Sequence, residues 1–485
     1  MSVSLNRVRR GFYADSVALM RISRAVSSLP GVEVASLMIG TPSNRALLAE
    51  SGLLAAEGAK AQADDLVIAV RAQDLPSAEA GLAEAEKLLS VRKADATDRR
   101  TAAVRSLAAA LRMLPEANLA LVSVPGEFAA AEARRALERG LHVMMFSDNV
   151  SLEDEVALKC FALGKNLLLM GPDCGTALLG GVPIAFANAV PRGDVGLISA
   201  SGTGLQEVSS LLARGGRGVS HGIGVGGRDL SEEVGGLMTL AAFDALDADP
   251  ATRHIVIISK PPARAVADRI AARVATSSKP VTLCLLGEGG MTLSSAAEEV
   301  LGRSLQSRDL PAVAARPGWL RGLYCGGTLC SEAQLVLIAA GIAVSSNVPV
   351  PGAGEAQSSN IAAHSLIDLG DDEYTRGRPH PMIDPELRNE LLADALNDSG
   401  VAAVLLDVVI GYGAHMDPAG LIAKAIESKT RTKASDRPVI IASVTGTEGD
   451  PQGYSRQVAR LCAAGVLVAS SNAQAAMVAA RVVTG

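Results

Sequence analysis

Short unbroken apolar runs recur along the chain, separated by stretches whose apolar residues fall every three or four positions. The first pattern predicts buried strands and the second predicts helices with one apolar face. Through residue 89 the order is a strand, a helix at 16–28, a strand at 32–39, a Pro-Ser-Asn turn with a short helix, a strand at 66–71 and a helix at 77–89. That alternation predicts a small α+β module of ferredoxin-like type over 1–95. The charged run at 91–100 then reads as a solvated linker.

Beyond it, a helix to 113 is followed by strands at 119–124, 141–146 and 167–170, with helices at 129–139 and from 151 between them. A βαβαβ run with short connections predicts a parallel sheet, half of a Rossmann-like domain over 100–190. No G-x-G-x-x-G follows its first strand, so the dinucleotide fingerprint is missing. Two further α/β units are expected at 191–310 and 317–485, separated by a linker containing Pro311 and Pro317. Strands at 401–409 and 439–444 end in glycine-rich loops, where open parallel sheets place ligands.

Composition sharpens this picture. The chain has 485 residues, 48% of them hydrophobic but only 2% aromatic, so its cores must be built from Ala, Val, Leu and Ile. That suits parallel sheets under Ala-rich helices. With a net charge of -6 there is no overall basic field to attract nucleic acid or a membrane surface. No stretch reads as a signal peptide or a membrane span, and a cytoplasmic location is expected. The six cysteines, at 160, 174, 284, 325, 330 and 462, lack the spacing of a zinc site and read as free thiols; no metal is expected.

The first candidate site is 193–208, an apolar strand that breaks into Ser201-Gly202-Thr203-Gly204 and resumes as a helix. Thr203 with Gln206 has the form of a capping box. A helix start carries unpaired N–H groups and the positive end of the helix dipole, so it can hold a phosphate or carboxylate. It can equally be an ordinary capped helix. Ser199 to Thr203 also fits a hydrolase elbow with Ser201 as nucleophile. A second glycine loop, Gly411-Tyr412-Gly413, leads toward a helix near Asp417, giving a second possible anion-binding start. Between them, Gly222 to Gly227 reads as backbone passing close to a ligand or another loop.

Around these loops stand His380, fixed between prolines, and His415, each a candidate for proton transfer or for pinning a loop. Arg378 and Arg228 could supply charge. Arg228 with Asp229 reads as a substrate clamp or an internal ion pair. Thr445, Thr447 and Asp450 could bind a carboxylate or shape a turn, and Asp384 and Asp407 could orient neighbouring loops. His221 reads as structural, and Lys260, before two prolines, could reach an anion or stay solvated.

At Met170-Gly-Pro-Asp-Cys-Gly175, Gly196 to Leu205 and Gly222 to Asp229 the chain resembles the α subunit of succinyl-CoA synthetase. Residues 376–480 resemble the carboxyl-terminal ligase domain of its β subunit. With Arg321 to Cys330, Gly377-Arg-Pro-His-Pro-Met-Ile-Asp384 and Leu406 to His415, the chain is similar to the FdrA family, which joins both pieces. The resemblance implies a multidomain α/β protein with a Rossmann-like domain, two flavodoxin-like ligase-CoA domains and the small α+β module. It also implies a phosphate held between two helix starts, matched here by Ser201, Gly202, Thr203 and Gly204 on one side and Gly411, Tyr412 and Gly413 on the other. The synthetases' phosphohistidine string is replaced here by Gly287-Glu-Gly-Gly, and no ATP-grasp domain is recognised.

What this implies is a subunit of an oxamate carbamoyltransferase of allantoin breakdown, converting oxalurate and phosphate to oxamate and carbamoyl phosphate. His380, His415 and Arg378 are the expected catalytic residues, and Arg228, Asp229, Thr445 and Thr447 the expected substrate contacts. A homo-oligomer with additional subunits is expected, with no nucleic acid or membrane partner. Two alternatives stay open: an acyl-CoA ligase homologue that binds CoA, and a non-catalytic scaffold.

Overall fold

The computed structural model describes residues 2–12, 14, 16–96, 104, 106–287, 291–356, 363–375, 379–428 and 437–484. The chain divides into two compact units, 1–106 and 107–375 with 380–485.

The first unit contains β1 (Val3–Arg9), α1 (Ser16–Ser27), β2 (Val32–Ile39), α2 (Pro42–Glu50), β3 (Leu66–Ala72) and α3 (Leu75–Ala96). Its sheet is antiparallel with the order β1-β3-β2. Leu66, Ile68 and Val70 of β3 pack under Leu19 and Val26 of α1 and Leu82 and Leu89 of α3, while Val67 and Ala69 pack with Leu48 of α2 on the other face. Covered on both sides, β3 has no need to alternate apolar with polar residues, and its sequence does not. The expected linker is corrected in part: α3 continues through the charged run to Ala96. Ala, Arg and Lys are good helix formers, so charge alone did not mark coil there.

The second unit begins with α4 (Leu107–Met113) and the run β4 (Leu119–Val122), α5 (Gly126–Glu138), β5 (His142–Met145), α6 (Leu152–Leu163), β6 (Leu169–Met170). These strands form a parallel sheet ordered β4-β5-β6. The buried face of α5 is Ala129, Ala133, Ala136 and Leu137, small side chains that let the helix lie close to the sheet.

Next come β7 (Thr176–Leu179), β8 (Val182–Ala185), β9 (Arg192–Ser199), α7 (Gly202–Arg214), β10 (Val219–Gly224), α8 (Leu237–Ala248), β11 (His254–Ser259), α9 (Arg264–Val274), β12 (Val281–Leu285) and α10 (Leu293–Leu301). The hairpin β7–β8 was not anticipated. It pairs antiparallel with β10 and so joins this sheet, ordered β12-β11-β9-β10-β7-β8, rather than the Rossmann-like one.

The rest is β13 (Trp319–Tyr324), α11 (Gly327–Ala339), β14 (Val344–Ser346), β15 (Gly354–Glu355), β16 (His364–Asp368), α12 (Asp372–Thr375), α13 (Glu386–Asn397), β17 (Val401–Val409), α14 (Pro418–Ser428), β18 (Val439–Thr445), α15 (Tyr454–Ala463), β19 (Leu467–Ala469) and α16 (Asn472–Val483). Its sheet, β15-β14-β16-β13-β17-β18-β19, is parallel throughout.

In each of the two large sheets the first parallel strand, β9 or β13, has crossovers leaving to both sides. Such a switch point opens a crevice at the strand's carboxyl end. The two sheets also share one core. Leu205, Val208 and Leu212 of α7, Ala296 and Val300 of α10, Leu329 and Leu337 of α11 and Ala475 and Ala479 of α16 form a continuous apolar cluster between them. The two switch-point helices, α7 and α11, are packed against each other in that layer.

Candidate functional site

The buried strand β9 ends at Ser199, and Ser201 caps α7 by accepting the Gly204 N–H at 2.9 Å. The helix therefore begins at Gly202. The capping box expected of Thr203 and Gln206 does not form, because Thr203 already lies in the first turn; Gln206 Nε2 donates instead to Asn188 Oδ1 at 3.2 Å. Among the described residues the Gly202 and Thr203 amides have no hydrogen-bond partner. Gly202 lines a small recess together with Asp173, Thr176, Ser201 and Gly226. Ser201 Oγ serves as a cap and is bonded to no histidine among the described residues, which removes the hydrolase elbow.

The start of α11 meets the start of α7. A Cβ added to Gly326 would stand 2.8 Å from Thr203 Oγ1, so only glycine lets the two helix starts approach this closely. Asp407 of β17 holds the turn into α11 by accepting the Cys325 N–H at 2.7 Å and the Gly326 N–H at 2.8 Å. Buried Arg388 lies beside it, with Nη1 2.9 Å from the Asp407 carbonyl oxygen. The next amides, of Gly327 and Thr328, have no partner among the described residues.

Three more side chains converge here. A Cβ on Gly327 would meet Asp368 Oδ2 at 2.5 Å and Lys260 Nζ at 3.3 Å, which brings the residue after β11 to the end of β16. Asp368 Oδ1 accepts the Gly370 N–H at 2.9 Å. His380 accepts the Met382 N–H on Nδ1 at 3.2 Å, so its neutral ring carries its proton on Nε2. That Nε2, the Cys325 carbonyl oxygen and Asp368 Oδ1 lie 2.6, 2.8 and 3.1 Å from the point a Cβ on Gly370 would occupy.

Enclosure by protein tunes these groups. Burial raises Asp368 to about 6, with Asp407 and Asp371 adding to the rise and Lys260 opposing it. Asp173, lining the recess, is itself exposed, so water limits the rise that its carboxylate neighbours Asp148 and Asp372 favour and that Arg228 and Lys260 oppose. Burial lowers His380 to about 4 and keeps it neutral. The combination is a pair of helix starts with an exposed lysine, an exposed carboxylate at Asp173 and one buried, raised carboxyl at Asp368.

Several expected contacts are corrected. Gly411 is tied to Gln452, whose Oε1 accepts the Gly411 N–H at 3.1 Å and whose Nε2 donates to the Gly411 carbonyl at 2.8 Å. The Tyr412 N–H donates to the Ala187 carbonyl at 2.9 Å, and Gly413 lies against the Phe186 ring, so residues 186–188 stand between this loop and α7. The start of α14 is already occupied: Asp417 accepts the Gly420 N–H and Gln457 accepts the Ala419 N–H. The helix start facing α7 is therefore that of α11.

Asp229 is fully buried, bonded to Lys159 Nζ at 2.8 Å and to Thr239 Oγ1 at 2.7 Å, and is no substrate clamp. Arg228 pairs with Glu155 at 2.8 Å and donates to the Val150 carbonyl, although its side chain stays half-exposed. Thr445 Oγ1 donates to Glu207 and Thr447 Oγ1 to the Ala189 carbonyl, so both hold the fold. His415 accepts the Asp417 N–H on Nδ1 at 3.0 Å, within the loop leading to α14. Arg378 lies outside the described residues.

Sequence reasoning weighed Lys260 as able to reach an anion or as solvated, and passed over Asp368 and the glycines at 326 and 327 as site residues. One signal was available: Gly327-Thr328-x-x-x-Glu332 repeats Gly202-Thr203-x-x-x-Glu207.

Comparison with known proteins agrees with this architecture. Residues 323–482 match the CoA-ligase family, and residues 1–105 match a family described as "AllF, heavy metal-associated domain". The succinate–CoA ligase α subunit of Aquifex aeolicus is 31% identical over 30% of this chain, and the sulfoacetate-CoA ligase subunit SauD of Bilophila wadsworthia is 28% identical over a similar share. Each match spans only about half of the relative's length. A solved acetyl-coenzyme A synthetase from Ca. Korarchaeum cryptofilum, in complex with phosphate and ADP, covers 75% of this chain and 82% of its own at 15% identity and a TM-score of 0.29, too low to transfer any site.

The fold and these matches define a class: multidomain α/β proteins with a CoA-ligase domain, here in the carboxyl-terminal third, and a stretch similar to succinate–CoA ligase α subunits. Within that class the chain belongs to the family of the Escherichia coli protein "Uncharacterized protein YahF". It is 40% identical to that protein, over 97% of both chains.

Proposed function

We propose that the chain is a subunit of a carbamoyltransferase in which phosphate, or the phosphate of carbamoyl phosphate, sits between the starts of α7 and α11. The observation that carries this reading is the contact of Thr203 with Gly326, beside the unpartnered amides of Gly202, Thr203, Gly327 and Thr328 and within reach of Lys260. Helix starts bind phosphate through such amides and the aligned dipole.

The substrate pair comes from the resemblance to the FdrA family and agrees with the AllF match of the amino-terminal unit. A phosphate oxygen attacks the ureido carbonyl carbon of oxalurate, the bond from that carbon to the oxamate nitrogen breaks, and the proton of hydrogen phosphate passes to the nitrogen. The products are carbamoyl phosphate and oxamate. The loop at 287–290 has no histidine to carry a phosphoryl group, so the ligase relay has no acceptor in that string.

Coenzyme A, implied by the family's name, does not fit the strand ends of the Rossmann-like sheet. The first turn of α5 contains Glu127 and that of α6 contains Glu153, Asp154 and Glu155, so carboxylates meet the positions where a diphosphate would need donors.

Thermal unfolding of the purified chain with carbamoyl phosphate, phosphate, oxamate or CoA, each alone, tests the reading. Stabilisation by the first two is expected, together with its loss in Gly202→Val, whose added side chain runs into Thr176. Stabilisation by CoA alone would favour the ligase reading, and stabilisation by none would sink both.

A further inference from the structure

We propose that Asp368 is the catalytic acid–base group of this cleft, passing the proton between bound phosphate and the leaving amide nitrogen, with Lys260 holding the phosphate beside it. This rests on the reading of the cleft as a carbamoyl-transfer site.

Asp368 ends β16 next to the switch-point strand β13, and only 6% of it is exposed. Its two oxygens differ. Oδ1 is fixed by the Gly370 amide, whereas Oδ2 has no hydrogen-bond partner among the described residues and lies at the first residue of α11, with Lys260 Nζ beside the same point. In a residue this buried, a carboxyl oxygen without a protein partner gains most when a proton or a ligand meets it. The groups facing Asp368 are Lys260, Asp371, Asp407 and His380. Asp407 is unsuited to the task because both its oxygens hold the turn amides. His380 stays neutral and presents an N–H rather than a base.

An ionised Asp368 would repel a dianion at the α11 start, so phosphate arrives most favourably when the carboxyl takes up a proton. That proton is the one the leaving nitrogen needs. Attack forms the carbon–oxygen bond and breaks the carbon–nitrogen bond, Asp368 protonates the nitrogen, and the hydrogen of the attacking hydrogen phosphate restores Asp368. The cycle is balanced without a cofactor.

Calorimetry of the full-length chain with sulfate, a tetrahedral dianion that does not titrate near neutrality, in buffers of different ionisation enthalpy tests this. The parent is expected to take up about one proton on binding near pH 7.5, and Asp368→Asn none. Asp173→Asn, at the other carboxyl of the cleft, is expected to keep the uptake. In the assembled enzyme Asp368→Asn is expected to lower kcat roughly 100-fold. Lys260→Met checks the site without touching a buried group and is expected to weaken sulfate binding. Binding without proton uptake, or uptake that disappears only in Asp173→Asn, overturns the role of Asp368 and leaves the cleft standing. A parent that binds neither sulfate nor phosphate between pH 5 and 8 overturns the cleft itself.

Discussion

Glu207 and Glu332 hold equivalent positions in α7 and α11, and each reaches across to cap the last helix of the other half. Glu332 accepts the N–H of Leu293, the first residue of α10, at 2.6 Å and the Asn472 Nδ2–H at 2.7 Å. Glu207 accepts the N–H of Asn472, the first residue of α16, and the Thr445 hydroxyl. Both carboxyls are buried, so this crossed pair ties the two sheets together where their shared core is driest.

Removing either carboxyl should loosen that joint. Glu332→Ala leaves the Leu293 amide without its acceptor and the Asn472 Nδ2 with the Leu329 carbonyl as its remaining one, at an expected cost of about 1–3 kcal/mol. Glu207→Ala should cost a similar amount, and the double variant less than their sum, because both act on Asn472. Urea unfolding measures this; a loss under about 0.5 kcal/mol for either would show that the crossed caps are idle.

The same pair sets a pH dependence. Burial raises Glu332 to about 7, and raises Glu207 as well. A raised carboxyl favours the protonated folded state, so its stabilisation is full below its unfolded value near 4.5 and fades as pH rises through about 7. His380 works the other way, since a lowered histidine loses stability as pH falls from 6.5 through about 4. Glu332→Gln should therefore lose less stability than the parent between pH 5 and 8, as melting curves would show. Equal slopes would refute the assignment.

Gly326→Ala should push the two helix starts apart, because its Cβ would overlap Thr203. Phosphate binding is expected to weaken by about tenfold or more, equivalent to ~1.4 kcal/mol. Thr203→Gly in the same chain removes the overlapping atoms and should recover part of the loss. No recovery would mean that Gly326 matters for a reason other than this contact.

Asp229 is predicted to matter for stability. Asp229→Ala leaves buried Lys159 with Glu155 as its one carboxylate partner and takes the acceptor from the Met238 and Thr239 amides, and should cost about 2–4 kcal/mol. A variant as stable as the parent but defective in phosphate binding would restore the substrate clamp.

Thiol titration offers an independent check on the core. Cys160 and Cys462 are exposed, whereas Cys174, Cys284, Cys325 and Cys330 are buried with their thiols raised well above the ordinary value by desolvation. Two thiols should react quickly with an aromatic disulfide in the native protein and the remainder only on unfolding. Fast reaction of a third would place one of the buried four in a more open setting.

The sequence by itself determined the alternation of strands and helices, because β9 and β17 are apolar runs that no exposed segment could tolerate. It also marked Ser201 to Gly204 as an open helix start, since small residues between a buried strand and an amphipathic helix leave few other conformations. It misplaced the second start. Gly411 to Gly413 has the same local form as Gly326 to Gly327, and local form cannot tell which loop a crossover carries beside α7. Lys260 read as solvated, and it is exposed; the sequence did not show Asp368 beside it. Only the folding of two mainly parallel sheets onto one helical layer brings Thr203 to Gly326 and Lys260 to Asp368. The physical reason is that burial, and with it the shifted proton affinity of Asp368, belongs to the packed assembly and not to any stretch of chain.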